Sequence, residues 1–183
     1  MRKNIFIPVV VVITTLFVFS SCKDDEKFTS SLFCDFISDT DKSGFFASNN
    51  YYTLDNIHNV GYSDDIVNIE YISSTITFEG ITPGELRRGD IIKDVYIKVE
   101  GFNPFLFSRA IEVMSDFERI SFSTYDDEEF YNFMWDVMRR FHRRDELDIE
   151  VYGRVVHGNV GVRNVRMRVT LDNLLDVTVS EFR

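Results

Sequence analysis

The chain has 183 residues, 44% of them hydrophobic and 27% charged, with 18 Phe against 9 Gly and 3 Pro; this globular composition excludes disordered, collagen-like and linker-dominated chains. Two cysteines exclude a disulfide scaffold and a cysteine-rich zinc module. A formal net charge of -10 excludes a general nucleic-acid binder, which meets phosphates with clustered Lys and Arg.

The N-terminus carries an address. Arg2 and Lys3 form a short basic region, residues 5–19 carry no charge, and the small pair Ser20-Ser21 stands directly before Cys22. The apolar run is shorter than the ~20 residues that span a membrane as a helix, and its flanks are those of a secretory signal peptide. With Cys22 directly after the small pair, the segment resembles a bacterial lipoprotein signal, although Phe19 stands where that family usually carries Leu. The resemblance implies a signal peptide over 1–21, cleavage before Cys22 and a covalent lipid on that cysteine. The 162 residues left would carry 18 basic and 30 acidic side chains, a net charge of -12. Lys23-Asp24-Asp25-Glu26 resembles the acidic surface-export signal of some Gram-negative lipoproteins. That implies attachment to the bacterial outer membrane through acyl chains, with the protein facing the cell exterior. The alternative is a periplasm-facing protein in which the charges form a solvated tether. The organisation expected is a tether over 22–31 and a single domain over 32–183.

Beyond the tether the chain alternates with period two, the mark of strands with one face in the core and one in water. Leu32 to Ile37 reads as an apolar strand in which Cys34 is a small buried hydrophobe. Two short runs, 65–72 and 75–81, flank Ser73-Ser74. Further strands are expected over 91–100, 105–113, 117–123, 147–151, 165–171 and 175–179. Turn chemistry falls at Thr82-Pro83-Gly84, Gly101 to Pro104, Gly158-Asn159 and Asp172-Asn173.

One segment differs. Phe130, Phe133, Met134, Val137, Met138 and Phe141 fall on the i, i+3, i+4, i+7 series of a helix over about 126–146. Asp126 with Glu129 three residues later reads as a capping box, and four arginines near the far end suit the negative pole of the helix dipole. The fold expected is mainly β (α+β): an antiparallel β-sandwich of about 7–9 strands, with one amphipathic helix between the fifth or sixth strand and the last three. This order of elements, with the Asn103-Pro104 turn, loosely resembles the late-embryogenesis-abundant type of β-sandwich, a fold-level likeness that implies no function.

Signs of catalysis are sparse. The three histidines show no zinc spacing, and there is no nucleophile elbow, P-loop or dinucleotide glycine set. Adjacent carboxylates abound, but neighbours on a strand point to opposite faces and rarely share a proton. An enzyme is therefore not the leading expectation. The alternatives to a binding or assembly module are a glycan-acting hydrolase using paired carboxylates and a purely structural envelope component.

Asp39, Asp41 and Ser43 before Gly44 resemble the opening of a calcium loop, but Asn50 stands where the closing Glu is needed, so a hairpin turn is expected and no calcium. Arg88-Gly89-Asp90 reads as ordinary turn chemistry. Residues 22–138 carry a net -14 and residues 139–183 a net +2. Arg166 and Arg168, with Arg163 nearby, could recognise an anion such as a sulfated or carboxylated glycan, or simply pair with neighbouring acids. On the helix, Tyr131, Trp135, Arg139 and His142 lie along one flank beside the core stripe. That flank is either covered by chain or a platform for a protein or glycan partner. No cofactor beyond the lipid on Cys22 is expected.

Overall fold

The computed structural model describes residues 24–60, 65–82, 84–116, 118–158 and 163–181; Cys22 and the signal segment lie outside them. Its strands are β1 (Asp24–Asp39), β2 (Phe45–Tyr52), β3 (Ile66–Gly80), β4 (Ile91–Val99), β5 (Phe105–Phe107), β6 (Ile111–Glu112), β7 (Ile120–Ser123), β8 (Leu147–Val156) and β9 (Arg166–Glu181). Among the described residues a single α-helix, α1 (Glu128–Arg144), separates β7 from β8. One sheet has the order β1-β9-β3-β7; the other has β2-β8-β4-β5, with β6 also on β4. All pairings are antiparallel, and the two sheets enclose one apolar core. The expected sandwich with one helix is the fold.

Alternation sets which face is inside. Leu147, Ile149, Val151 and Val155 of β8 are buried, and the intervening polar residues face outward. Gly153 occupies the remaining inward position because the Phe46 ring fills its space: a Cβ there would lie 2.9 Å from Phe46 Cζ. At the β1–β2 turn, Gly44 has φ +77°, and any Cβ would meet the Val155 carbonyl oxygen at 2.1 Å.

The β1–β2 connection crosses from one sheet to the other and closes one side of the sandwich. The free edge of β1 is blunted by side chains: the Asp35 amide donates to Tyr52 Oη at 2.8 Å, and Asn50 Nδ2 donates to the Asp35 carbonyl. Burial, with the nearby Cys34, pushes the Tyr52 hydroxyl up to about 12. Helix α1 closes the other side. Phe130 lies between Phe105 (5.4 Å between ring centres) and Phe107 (4.9 Å), while Tyr131 meets Tyr71 of β3 at 5.3 Å.

Several boundaries differ from the sequence expectations. The acidic stretch read as a tether is already strand from Asp24, paired rung by rung with β9. Its Lys27 reaches Glu70 at 2.7 Å and Asp176 at 3.3 Å. The runs flanking Ser73-Ser74 form one strand, β3, with a bulge between Tyr71 and Ser73 in its pairing with β9. The expected strand over 105–113 is split into β5 and β6. Asp172-Asn173 is no turn but the middle of β9. Asn173 is fully buried, donating to the Leu32 carbonyl (3.0 Å) and accepting from Ser74 Oγ (2.6 Å). Ser74 in turn accepts from the Tyr71 hydroxyl at 2.9 Å, and its amide donates to Thr124 Oγ1 at 2.9 Å. Such a chain lets polar groups sit in the core without losing hydrogen bonds. Cys34, beside Asn173, is free and buried, and burial pushes its thiol far above the reactive range.

The helix also starts later than expected and precedes two strands, not three. Asp126 belongs to a short 3₁₀ turn, Thr124–Asp126, and Asp127 is the N-cap, accepting from the Phe130 amide at 3.0 Å. The capping box therefore does not form, since the third helical residue is Phe130. Asp145 ends the helix in the left-handed conformation, at φ 56°.

Candidate functional site

The helix flank singled out from the sequence divides in two. Tyr131 turns inward and packs against the core. Trp135 is 41% exposed, with the Arg139 guanidinium 5.3 Å from its ring centre. Trp135, Arg139 and His142 form one wall of a groove of about 340 Å³; Asn68, Glu70 and Tyr71 of β3 form the other. The groove is therefore made where the amphipathic helix meets the sheet it caps. Other chain therefore covers Tyr131 of this flank and leaves Trp135 partly exposed.

The chemistry of the groove is mixed. Among the described residues, neither Arg139 nor Arg143, one turn on and also in the groove, forms an ion pair. His142 Nδ1 is shielded from solvent and lacks a hydrogen-bond partner. Burial first, then the Arg143 charge, lowers the His142 pKa below its ordinary 6.5. The neutral form therefore stabilises the fold above about pH 6.5, and stability is lost as pH falls through the depressed folded value. Urea midpoints at pH 7.5 and 5.5 should drop further for the native chain than for His142→Gln.

Trp135 gives a second check. Its emission should be quenched readily by acrylamide, and Trp135→Ala should lose far less stability than the ~3–5 kcal/mol of a buried aromatic. Calorimetry on the variant reads this directly.

Arg166 and Arg168 lie elsewhere, on β9, and each stands beside acidic side chains. Arg166 Nε reaches Asp39 at 3.9 Å; Arg168 reaches Asp35 at 3.3 Å and Glu79 at 3.7 Å. Strand register explains this, since β9 runs between the acidic positions of β1 and β3. Asp39 is thereby engaged with an arginine, and Asp41 organises the hairpin: its Oδ1 accepts from the Ser43 hydroxyl (2.7 Å), the Ser43 amide (2.7 Å) and the Phe45 amide (3.0 Å). The Ser43 hydroxyl is the main cause holding the Asp41 carboxyl below its usual range. These contacts are those of a turn.

A second cluster escaped the sequence reading altogether. Asp90 is 2% exposed and accepts from Arg163 Nη2 and from the Arg87 amide at 2.8 Å; His157 Nδ1 stands 3.2 Å away. His157 Nε2 is 3.0 Å from the Arg163 carbonyl. The Arg88-Gly89-Asp90 tripeptide thus turns its carboxylate inward. No sequence signal joins positions 67 and 73 residues apart.

No family model matches the chain, and no curated protein matches it. Among solved structures it is similar to the one described as "Crystal structure of decameric BFDV Capsid Protein", at 7% identity and a TM-score of 0.42. That likeness covers 84% of this chain and 99% of the other. It is too slight to carry any argument about function.

Proposed function

We propose that this is a lipid-anchored protein of a bacterial outer membrane, facing the cell exterior, whose β-sandwich is a non-catalytic binding module with the α1–β3 groove as its site. The observation that carries the binding role is the half-exposed Trp135 beside Arg139 and Arg143, which have no acidic partner among the described residues. Tryptophan and arginine are the side chains that contribute most at recognition surfaces. The anchor rests on Ser20-Ser21-Cys22 behind an uncharged run, and the outward orientation on the acids that follow. More than one acyl chain is needed for stable attachment. The hydrolase alternative calls for facing carboxylates. Asp90, the one acid buried among the described residues, is instead committed to Arg163, His157 and a backbone amide.

Cell fractionation tests the anchor. Cys22→Ala should leave the membrane fraction, and retention there would refute lipidation. Changing Asp24, Asp25 and Glu26 together to Ala should keep the protein membrane-bound yet hide it from antibody on whole cells. Because these residues lie in β1, circular dichroism should first confirm that the variant is folded.

A further inference from the structure

We infer that the α1–β3 groove takes an acidic sugar residue, a uronate or a sulfated hexose, from an anionic glycan. This rests on the binding-module role proposed above and names its ligand class.

Charge is the first ground. Among the described residues most arginines lack an ion pair, and what sets Arg139 and Arg143 apart is that both line one groove with the exposed Trp135. Arg119, Arg163, Arg166 and Arg168 each reach an acid. Arg139 and Arg143 reach none among the described residues, although they stand one helical turn apart on the same wall. Their missing counter-charge is what a ligand would bring, and the guanidinium fork matches carboxylate and sulfate in a two-point contact.

The indole is the second ground. Trp135 offers apolar area to the C–H face of a pyranose, and Arg139 beside it is already held for the acidic substituent. A bare phosphate would leave the indole unused. A neutral sugar would leave both arginines unanswered.

The remaining groups suit hydroxyls. His142 stands on the same wall as the two arginines. Across the groove, Asn68 offers an amide and Glu70 a carboxylate that Lys27 partly neutralises at 2.7 Å. A groove of about 340 Å³ lies at the lower end of the ~300–1,000 Å³ range of small-molecule sites, fitting a sugar unit better than a folded partner.

Titration of the full chain with tetragalacturonate, a heparin tetrasaccharide and neutral maltotetraose, read by Trp135 fluorescence, tests this. At least one acidic tetrasaccharide should bind with marked salt dependence, and the neutral one should not. Arg139→Ala and Arg143→Ala should each weaken binding about tenfold or more. Arg166→Ala/Arg168→Ala should bind like the native chain, and inorganic phosphate at matched ionic strength should not compete. The inference is overturned if neither acidic sugar binds, if maltotetraose binds equally well, or if the Arg139 and Arg143 variants bind unchanged. Competition by phosphate would likewise overturn the sugar assignment. Failure of the anchor would show separately, in the Cys22→Ala fractionation, which involves none of these ligands.

Discussion

Asp90→Ala should cost about 3–5 kcal/mol of folding stability, because it strips a largely buried guanidinium of its counter-ion. The Asp90 side chain is 3% exposed and that of Arg163 18%, so water can replace little of what is lost. Arg163 would keep its 3.0 Å bond to the Glu85 carbonyl, and His157 its contact with the Arg163 carbonyl, but nothing would balance the charge. The same turn holds the β3–β4 connection through the Val113 amide, which donates to the Asp90 carbonyl at 2.8 Å. That backbone bond survives the substitution, so the loss isolates the carboxylate. Urea unfolding should show a lower midpoint with an unchanged slope. Added salt should restore little, since Debye screening acts weakly on a buried pair. A loss below about 1 kcal/mol would place the cluster with ordinary surface ion pairs.

Phe130→Ala should be comparably severe, at about 3–5 kcal/mol. Phe130 is fully buried, stacked on Phe105 and edge-on to Phe107, so its removal opens a cavity where α1 meets the edge strand β5. Because α1 also carries Trp135, Arg139 and His142, loosening it should impair the groove as well as the core. Phe133→Ala is the control: Phe133 is only partly buried and packs on Phe102 and Phe105 from the outer side of the same seam, so it should cost less. Thermal unfolding of the two variants side by side separates a core anchor from a covering residue.

Much of this architecture could be read from local pattern. The helical stripe is periodic over three turns, and its buried members are Phe130, Met134, Val137, Met138 and Phe141. The same 100° step placed Trp135, Arg139 and His142 together, which is why one wall of the groove was legible. The other wall was not, because Asn68, Glu70 and Tyr71 reach the helix only through the tertiary path of β3. Asp172-Asn173 failed for a related reason. Locally the pair carries turn chemistry, but a partner carbonyl on Leu32 and a hydroxyl on Ser74 make Asn173 a satisfied core residue within a long strand. The helix start slipped because Asp126 and Asp127 are equivalent caps in sequence. The 3₁₀ turn begun by Thr124 uses up the first and leaves the second. For Arg166 and Arg168 the sequence left an anion patch and pairing with acids both open, and strand register set acids beside them.

The central claim is that the groove between α1 and β3 is where this protein binds. Heteronuclear NMR of the full chain during titration with tetragalacturonate or the heparin tetrasaccharide tests it most directly, by following the indole N–H of Trp135 with the backbone amides. The account predicts saturable shifts confined to the indole, to the helix around Arg139–Arg143 and to β3 around Asn68–Tyr71. Shifts centred on Arg166 and Arg168, or a Trp135 signal that stays put at saturation, would contradict it.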